Sequence, residues 1–320
     1  MVGSRLIIKK PIPKRAPKPI PKPIPKKSYP LPLSKNTPTT TLTNNFKPIL
    51  TDDSQKKISI VIAYYNRKKL LEYTLKLIEL SIHKNIEIII VDDASNDVEA
   101  LDNIINNYKL DITLIKIKKS DKTHMNPCVP YNIGFRKATG EIIIIQNPEV
   151  CHIGDVCDYV NKNIKPNEYM SFTCANLELE SYNPVLHNTY NKLSDYSSVI
   201  QYIAKLQITH KNGFAMWYNH PKYRPCYFNF LCAIHKKDLD EKLNGGFDER
   251  YASGSAMDDK AFVKVARYKG LNMNMIDIIN DAPFGIHQWH AKAPHNRNKN
   301  NVQINVDIYN SHMKSLGISP

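Results

Sequence analysis

Acidic and amide side chains cluster where apolar runs end in this chain, at VDDASND (Asp92, Asp93) and QNPEV (Asn147, Glu149). A carboxylate there can accept a base N–H or a ribose hydroxyl, and an oxygen donor such as Glu149 suits hard divalent cations. A second acidic pair, Asp258 and Asp259, follows GGFDE, and His287 and His290 stand in GIHQWH. A carboxylate can take the proton of an attacking hydroxyl, and a histidine can ligate a metal. Each group also has a plainer reading. Asp92 and Asp93 can cap the next helix, Glu149 can be a loop acid, and Asp258 and Asp259 can sit at a helix N-terminus.

The elements that must carry these groups are legible as alternating periods. Ile58–Ala63 and Ile86–Val91 are continuous apolar runs, of the kind buried on both faces of a parallel sheet. Between them Leu71, Leu75, Ile78 and Ile82 recur at helical spacing. Asn96 or Asp97 can cap a further helix with a stripe of Val98, Leu101, Ile105 and Tyr108. Ile112–Ile117 is a third strand, Asn132–Ala138 belongs to a short helix, and Glu141–Gln146 is a fourth strand. Alternating β and α units predict a doubly wound, mostly parallel sheet. Ligands of such sheets sit beyond the carboxyl ends of the strands, so the polar strand ends point to a nucleotide-using enzyme. Further on, Gly154–Ile164 reads as helix, Tyr169–Ala175 as one strand, Leu193–Leu206 as helix and Asp259–Tyr268 as a short helix.

The net charge of +14 is unevenly placed. Residues 1–50 hold eleven of the 44 Lys and Arg residues, eleven of the 21 prolines and no acid; the other 33 basic residues face all 30 acids. PIPKRAPKPIPKPIPKK predicts an extended, disordered tail over 1–55, either a solvated linker or a tether to an acidic polymer or surface. The nearly neutral remainder shows no basic stripe, which argues against a nucleic-acid-binding protein. Six cysteines without a C-x-x-C pair disfavour a zinc site or a disulfide framework. With no signal-like apolar core and no run near the ~18 apolar residues of a membrane span, the chain is expected to be soluble and cytoplasmic. The abundance of Asn, Lys and Ile fits an AT-rich coding genome.

Together, the strand ends and GGFDERYASGSAMDD resemble a family-2 glycosyltransferase of the GT-A fold, over about residues 57–290. The resemblance implies a Rossmann-like nucleotide-sugar half over 56–150, fused to an acceptor and catalytic half over 151–290; beyond His290 the chain turns polar and Asn-rich, which predicts a surface tail over 291–320. It assigns Asp93 to the base, with Asp92 beside it, and Ala63 and Tyr65 to the other wall of the base pocket. Asn132 and Gly134 in YNIGFRKATGE correspond to the N-x-G segment beside the nucleotide-sugar, or to an ordinary helix start. The usual D-x-D is here Asn147 and Glu149, so Asn147 keeps hydrogen bonding to a ribose but loses a metal-binding charge.

By the same resemblance, Asp259 is the general base of an inverting single displacement and Asp258 an acceptor-binding acid. Either His287 or His290 joins Glu149 in holding Mn²⁺ or Mg²⁺. The donor implied is a UDP-sugar, and the acceptor a hydroxyl on a glycan, protein or lipid-linked carrier. Trp217, Tyr218 and His220 could stack on the acceptor or pack in the core, and Lys122 and Arg136 could meet the diphosphate. Two alternatives stand beside this. A nucleotidyltransferase should carry a glycine-rich phosphate loop after the first strand, and AYYNRKK has no glycine. An inactive GT-A module, binding without turnover, is kept open by Asn147.

Overall fold

A computed structural model describes residues 39–48, 55–209, 216–291 and 298–319, all within the unit Leu31–Pro320. Its centre is an eight-stranded sheet built from β1 (Thr39–Thr43), β2 (Ile58–Tyr64), β3 (Ile86–Asp92), β4 (Asp111–Ile117), β5 (Ile142–Gln146), β7 (Glu168–Phe172), β10 (Leu231–His235) and β11 (Asn272–Ile276). The strand order is β1-β4-β3-β2-β5-β10-β7-β11. β4, β3, β2 and β5 run parallel, whereas β10 is antiparallel to both β5 and β7. A second, four-stranded sheet orders β6 (Val150–Ile153), β12 (Phe284–His287), β8 (Cys174–Asn176) and β9 (Trp217–Asn219).

The continuous apolar strands are explained by burial on both faces. Ile58, Ile60, Ile62 and Tyr64 of β2 pack with Leu71, Leu75 and Ile78 of α1 (Lys68–Glu79) and with Val156, Cys157 and Val160 of α3 (Val156–Asn163). Val61, pointing the other way, packs with Ile89, Val91 and Phe135, the last on α2 (Cys128–Lys137), and with Leu239 of α6 (Lys236–Lys242) and Phe262 of α7 (Asp258–Tyr268). This is the expected doubly wound arrangement. Chain order reverses between β2 and β5, so the crevice at their carboxyl ends is the switch point where such folds bind ligands. The helices α4 (Tyr182–Thr189) and α5 (Tyr196–Thr209) cover the small sheet.

Several expectations are corrected. The tail predicted over 1–55 does not extend through 39–48: β1 pairs antiparallel with β4, and buried Asn44 bonds Ile105 and Leu110 carbonyls through its side chain. Residues 1–38 and 49–54 lie outside the described residues. The helix expected after Asn96 is replaced by two 3₁₀ turns, Asp97–Glu99 and Ile105–Asn107; Leu101 and Ile105 turn inward while Val98 is 83% exposed. Ile82 is also exposed, because α1 ends at Glu79. The single strand read at Tyr169–Ala175 divides at Thr173, and its halves join different sheets.

The polar tail after His290 contains a 17-residue helix, α8 (Lys299–Ser315). Its buried stripe, Asn305, Tyr309 and Met313, recurs every fourth residue and packs on Tyr251 and Ala261, a narrow seam hidden in an Asn-rich sequence. All six cysteines are free, and only Cys226 is not buried. No helix among the described residues is long and apolar enough to cross a membrane.

Candidate active site

The small sheet brings two distant segments together. β6 and β12 pair with His287 opposite Val150, which sets His287 beside the preceding residue, Glu149. Glu149 Oε1 lies 3.1 Å from His287 Nε2 and 3.2 Å from His290 Nε2. Gln288 secures the junction: its backbone and side-chain N–H groups both donate to the Glu149 carbonyl at 3.1 Å, and its amide also reaches Leu70 and Thr74. Burial alone would push the Glu149 carboxyl up, but the hydrogen bonds and charge of His287 and His290 hold it well below the usual carboxylate range.

The candidate ligand atoms of Glu149, His287 and His290 lie within 4.8 Å of one another, a spacing one divalent cation can span. His287 Nδ1 is buried without a partner, whereas His290 Nδ1 lies 2.9 Å from both Arg67 Nη2 and the Ala291 carbonyl. One carboxylate oxygen and two imidazole nitrogens form a donor set that a divalent cation can use.

The second constellation is the acid pair opening α7. Ala256 and Met257, immediately before it, both adopt left-handed backbone, with φ of 61° and 68°. Such residues cost roughly 1 kcal/mol or more each and persist only where surrounding structure enforces them. Asp258 Oδ1 accepts from Asn126 Nδ2 at 2.9 Å, and Asp259 Oδ1 accepts from Asn229 Nδ2 at 2.7 Å. The Tyr169 hydroxyl donates to the Asn229 Oδ1, fixing that amide so that its N–H faces Asp259. Burial raises the Asp258 carboxyl; burial and then the Asp258 charge push Asp259 up to about 7.

Tyr131 links the two constellations. Its hydroxyl donates to the Gln146 carbonyl or to Asn147 Oδ1, at 2.9 and 3.0 Å. Burial raises it well above its ordinary value, and the charges of Asp259 and Glu149 act on it in the same direction. The backbone draws the two acids toward one neighbourhood: Asn147, two residues before Glu149, donates its N–H to the Phe230 carbonyl at 3.2 Å, and Phe230 follows Asn229, the partner of Asp259.

At the β2 and β3 ends, Ala63 is half-buried and Tyr65 is 38% exposed. Asp93 is gripped on both oxygens, by His124 Nε2 at 2.7 Å and Lys122 Nζ at 2.8 Å, and the same ammonium lies 4.4 Å from the Tyr65 ring centre. Asp92 accepts the Ser95 backbone N–H at 2.9 Å, a bond within the strand-end turn and not a helix cap, since the next helical turn, Asp97–Glu99, has Asn96 at its N-cap; burial raises its carboxyl.

Other candidates are relocated. Asn132 is buried and faces the GGFDE loop, accepting from the Phe247 N–H and donating to the Phe247 carbonyl and to Glu249 Oε1, at 2.8, 2.9 and 3.0 Å. With both N–H groups spent on the loop, this amide turns away from its expected role beside the nucleotide-sugar. Gly134 permits close approach, but of protein: a Cβ there would stand 2.4 Å from Val61 Cγ1. Trp217 is 2% exposed within the core under the small sheet, which corrects its acceptor role. Tyr218 instead stacks on Phe230 and meets the His287 ring edge-on at 4.6 Å. His220 Nδ1 accepts the Lys222 and Tyr223 N–H groups. Arg136 points to Glu249, 3.9 Å away.

Sequence reasoning missed Arg67, His124, Asn126, Tyr131 and Asn229. Their signal was faint, because single polar residues in loops and one aromatic in a helix have no period to betray them.

The switch-point sheet, the small second sheet and the acid-bearing α7 define a GT-A domain. The chain belongs to glycosyl transferase family 2, whose model matches residues 59–221, just over half of the 320 residues. That span includes Asp93 and Glu149 but stops before Asp258, Asp259, His287 and His290. An uncharacterised glycosyltransferase of Rickettsia conorii is 26% identical over 173 residues, covering 53% of this chain and 25% of the relative. Another from Haemophilus influenzae is 25% identical over 115 residues, 36% of this chain and 37% of the relative. The matches thus span well under half of these relatives.

Among solved structures, a mannosyltransferase from Pyrobaculum calidifontis in complex with GDP-Man and Mn²⁺ shares 17% identity, with a TM-score of 0.48 over 78% of this chain and 61% of that one. S. aureus TarS (1–349) in complex with UDP-GlcNAc shares 11% identity, with a TM-score of 0.49 over 78% and 64%.

Proposed function

We propose that this chain transfers a sugar from a nucleotide-sugar, a UDP-sugar first among donors, to a hydroxyl acceptor by an inverting, metal-assisted single displacement. The observation that carries the proposal is two unlike acid sites joined through adjacent residues: Glu149 within 3.2 Å of two histidines, and Asp259 bonded by Asn229, whose neighbour Phe230 accepts the Asn147 N–H.

In this reading Asp93, with Ala63 and Tyr65, receives the base. Glu149, His287 and His290 would hold a divalent cation, Mn²⁺ or Mg²⁺, which when bound would neutralise the diphosphate leaving group. Asp259 takes the proton of the acceptor hydroxyl as that oxygen attacks from the face opposite the diphosphate. A carboxyl pushed up to about 7 is suited to the task, since it is partly ionised near neutrality and still basic enough to drive proton transfer. Asn229 orients it, and Asp258, held by Asn126, keeps its pKa high through like charge. Tyr218, against the His287 ring, is the aromatic candidate for the acceptor side. The nucleotide half then runs over 56–150, and the acceptor half from 151 through α8 rather than ending at 290.

The test is nucleotide release by the purified protein with a panel of UDP- and GDP-sugars, with and without Mn²⁺. Metal-dependent release of UDP from one donor is expected. No release, together with no UDP binding by calorimetry, would contradict the proposal and favour a binding module.

A further inference from the structure

The acid pair hangs on a turn whose backbone is unfavourable for its residues, and the structure shows what holds it. Ala256 and Met257 are consecutive left-handed residues with side chains, neither of them glycine or asparagine. Asn305, in the middle of α8, is fully buried behind this turn. Its amide nitrogen donates to the Ala256 carbonyl at 2.8 Å and to the Tyr251 carbonyl at 3.0 Å. Both neighbours of that nitrogen are carbonyls, so the amide has one sensible orientation.

The approach is close on every side. A Cβ at Gly254 would stand 2.3 Å from Asn305 Oδ1, and the Ser255 N–H donates to the Asn301 carbonyl at 2.9 Å. Lys260 of α7 lies over the Tyr309 ring of α8, 4.4 Å from its centre, and Tyr309 and Met313 close an apolar seam against Tyr251 and Ala261. α8 therefore holds the turn directly and also packs on α7, the helix that the turn opens.

We propose that Asn305 is a positioning residue for Asp259: by bonding Ala256 and Tyr251 it holds the left-handed turn that sets the direction of the acid pair. The helix carrying it is then part of the catalytic apparatus, although it begins nearly eighty residues beyond the family match. The inference rests on Asp259 serving as the base. A turn released from the clamp relaxes toward ordinary backbone and swings the carboxylate off line, while the base-binding end at β2 and β3 is untouched.

The experiment compares the full chain with Asn305→Ala and with the double variant Asn305→Ala, Ala256→Gly. Glycine adopts left-handed backbone without penalty, so it restores the turn without restoring the clamp. Three readouts are taken: UDP release from UDP-glucose and UDP-N-acetylglucosamine with Mn²⁺, UDP affinity by calorimetry, and amide exchange across residues 251–260. In Asn305→Ala, kcat is expected to fall about ten- to a hundredfold with UDP affinity unchanged and faster exchange confined to the turn, and the added glycine should recover most of kcat.

Unchanged exchange and kcat in a folded Asn305→Ala would overturn the proposal. So would equal losses of kcat and UDP affinity unrelieved by glycine, or failure of both variants to fold, since either would make α8 a general buttress. If the parent chain releases no UDP, the glycosyl-transfer reading has failed, and the exchange data alone decide whether Asn305 holds the turn.

Discussion

Asn229 Nδ2 donates to Asp259 Oδ1 at 2.7 Å. A hydrogen bond to a carboxylate favours its charged form, so this contact restrains a pKa that burial and the Asp258 charge push up to about 7. Asn229→Ala should therefore raise the Asp259 pKa further. The acidic limb of the kcat/KM profile is expected to move up by about one pH unit, with activity recovering at higher pH. A limb that stays in place would separate Asn229 from the titrating group.

The raised pKa also predicts a stability cost. An unfolded aspartate titrates near 3.8, whereas folded Asp259 titrates at about 7. Between those values the folded state binds the extra proton, so this group's contribution is complete below the lower pKa and is lost as pH rises through the higher one. Asp259→Asn should unfold at higher denaturant than the parent at pH 8, by on the order of 4 kcal/mol at about 1.4 kcal/mol for each pH unit between the two values, with the gap closing toward pH 4. Denaturant titrations at the two pH values check this.

Glu149 accounts for the third prediction. Glu149→Ala removes the only carboxylate of the three-residue cluster, and Mn²⁺ affinity should fall by more than the roughly 10–100-fold typical of losing a supporting partner. Calorimetry with Mn²⁺ alone reads this directly, and equal affinity in the variant would refute the site.

Trp217 and Gly134 separate packing from binding. Trp217→Ala should destabilise the fold by about 3–5 kcal/mol, as expected for a buried aromatic, without a selective rise in KM. Gly134→Ala should also destabilise, because its new methyl would meet Val61 on β2. Thermal melts test both, and stability unchanged in either would return that residue to the list of ligand contacts.

What the sequence made legible follows from periodicity and charge. The strands β2, β3, β4 and β5 were readable within a residue or so because burial leaves runs that are mostly apolar, broken only by single polar residues such as Ser59, Glu87, Thr113 and Lys116. Glu149, His287 and His290 were readable as types, though only β-pairing between β6 and β12 brings them together. The direction in which Asn132 faces was not readable, since a helix start and a clamp on Phe247 require the same amide. Nor was α8, whose seam of Asn305, Tyr309 and Met313 is too narrow to show against its polar neighbours. Trp217 was ambiguous in sequence because an aromatic suits a sugar face and a core equally well.

The decisive comparison is the rate of UDP release from a UDP-sugar by the parent chain and by Asp259→Asn, at saturating Mn²⁺, with UDP binding followed in parallel. Release should fall by about 10²–10⁴-fold in the variant while UDP binds as before. Undiminished release by Asp259→Asn would contradict the assignment of Asp259 as the base.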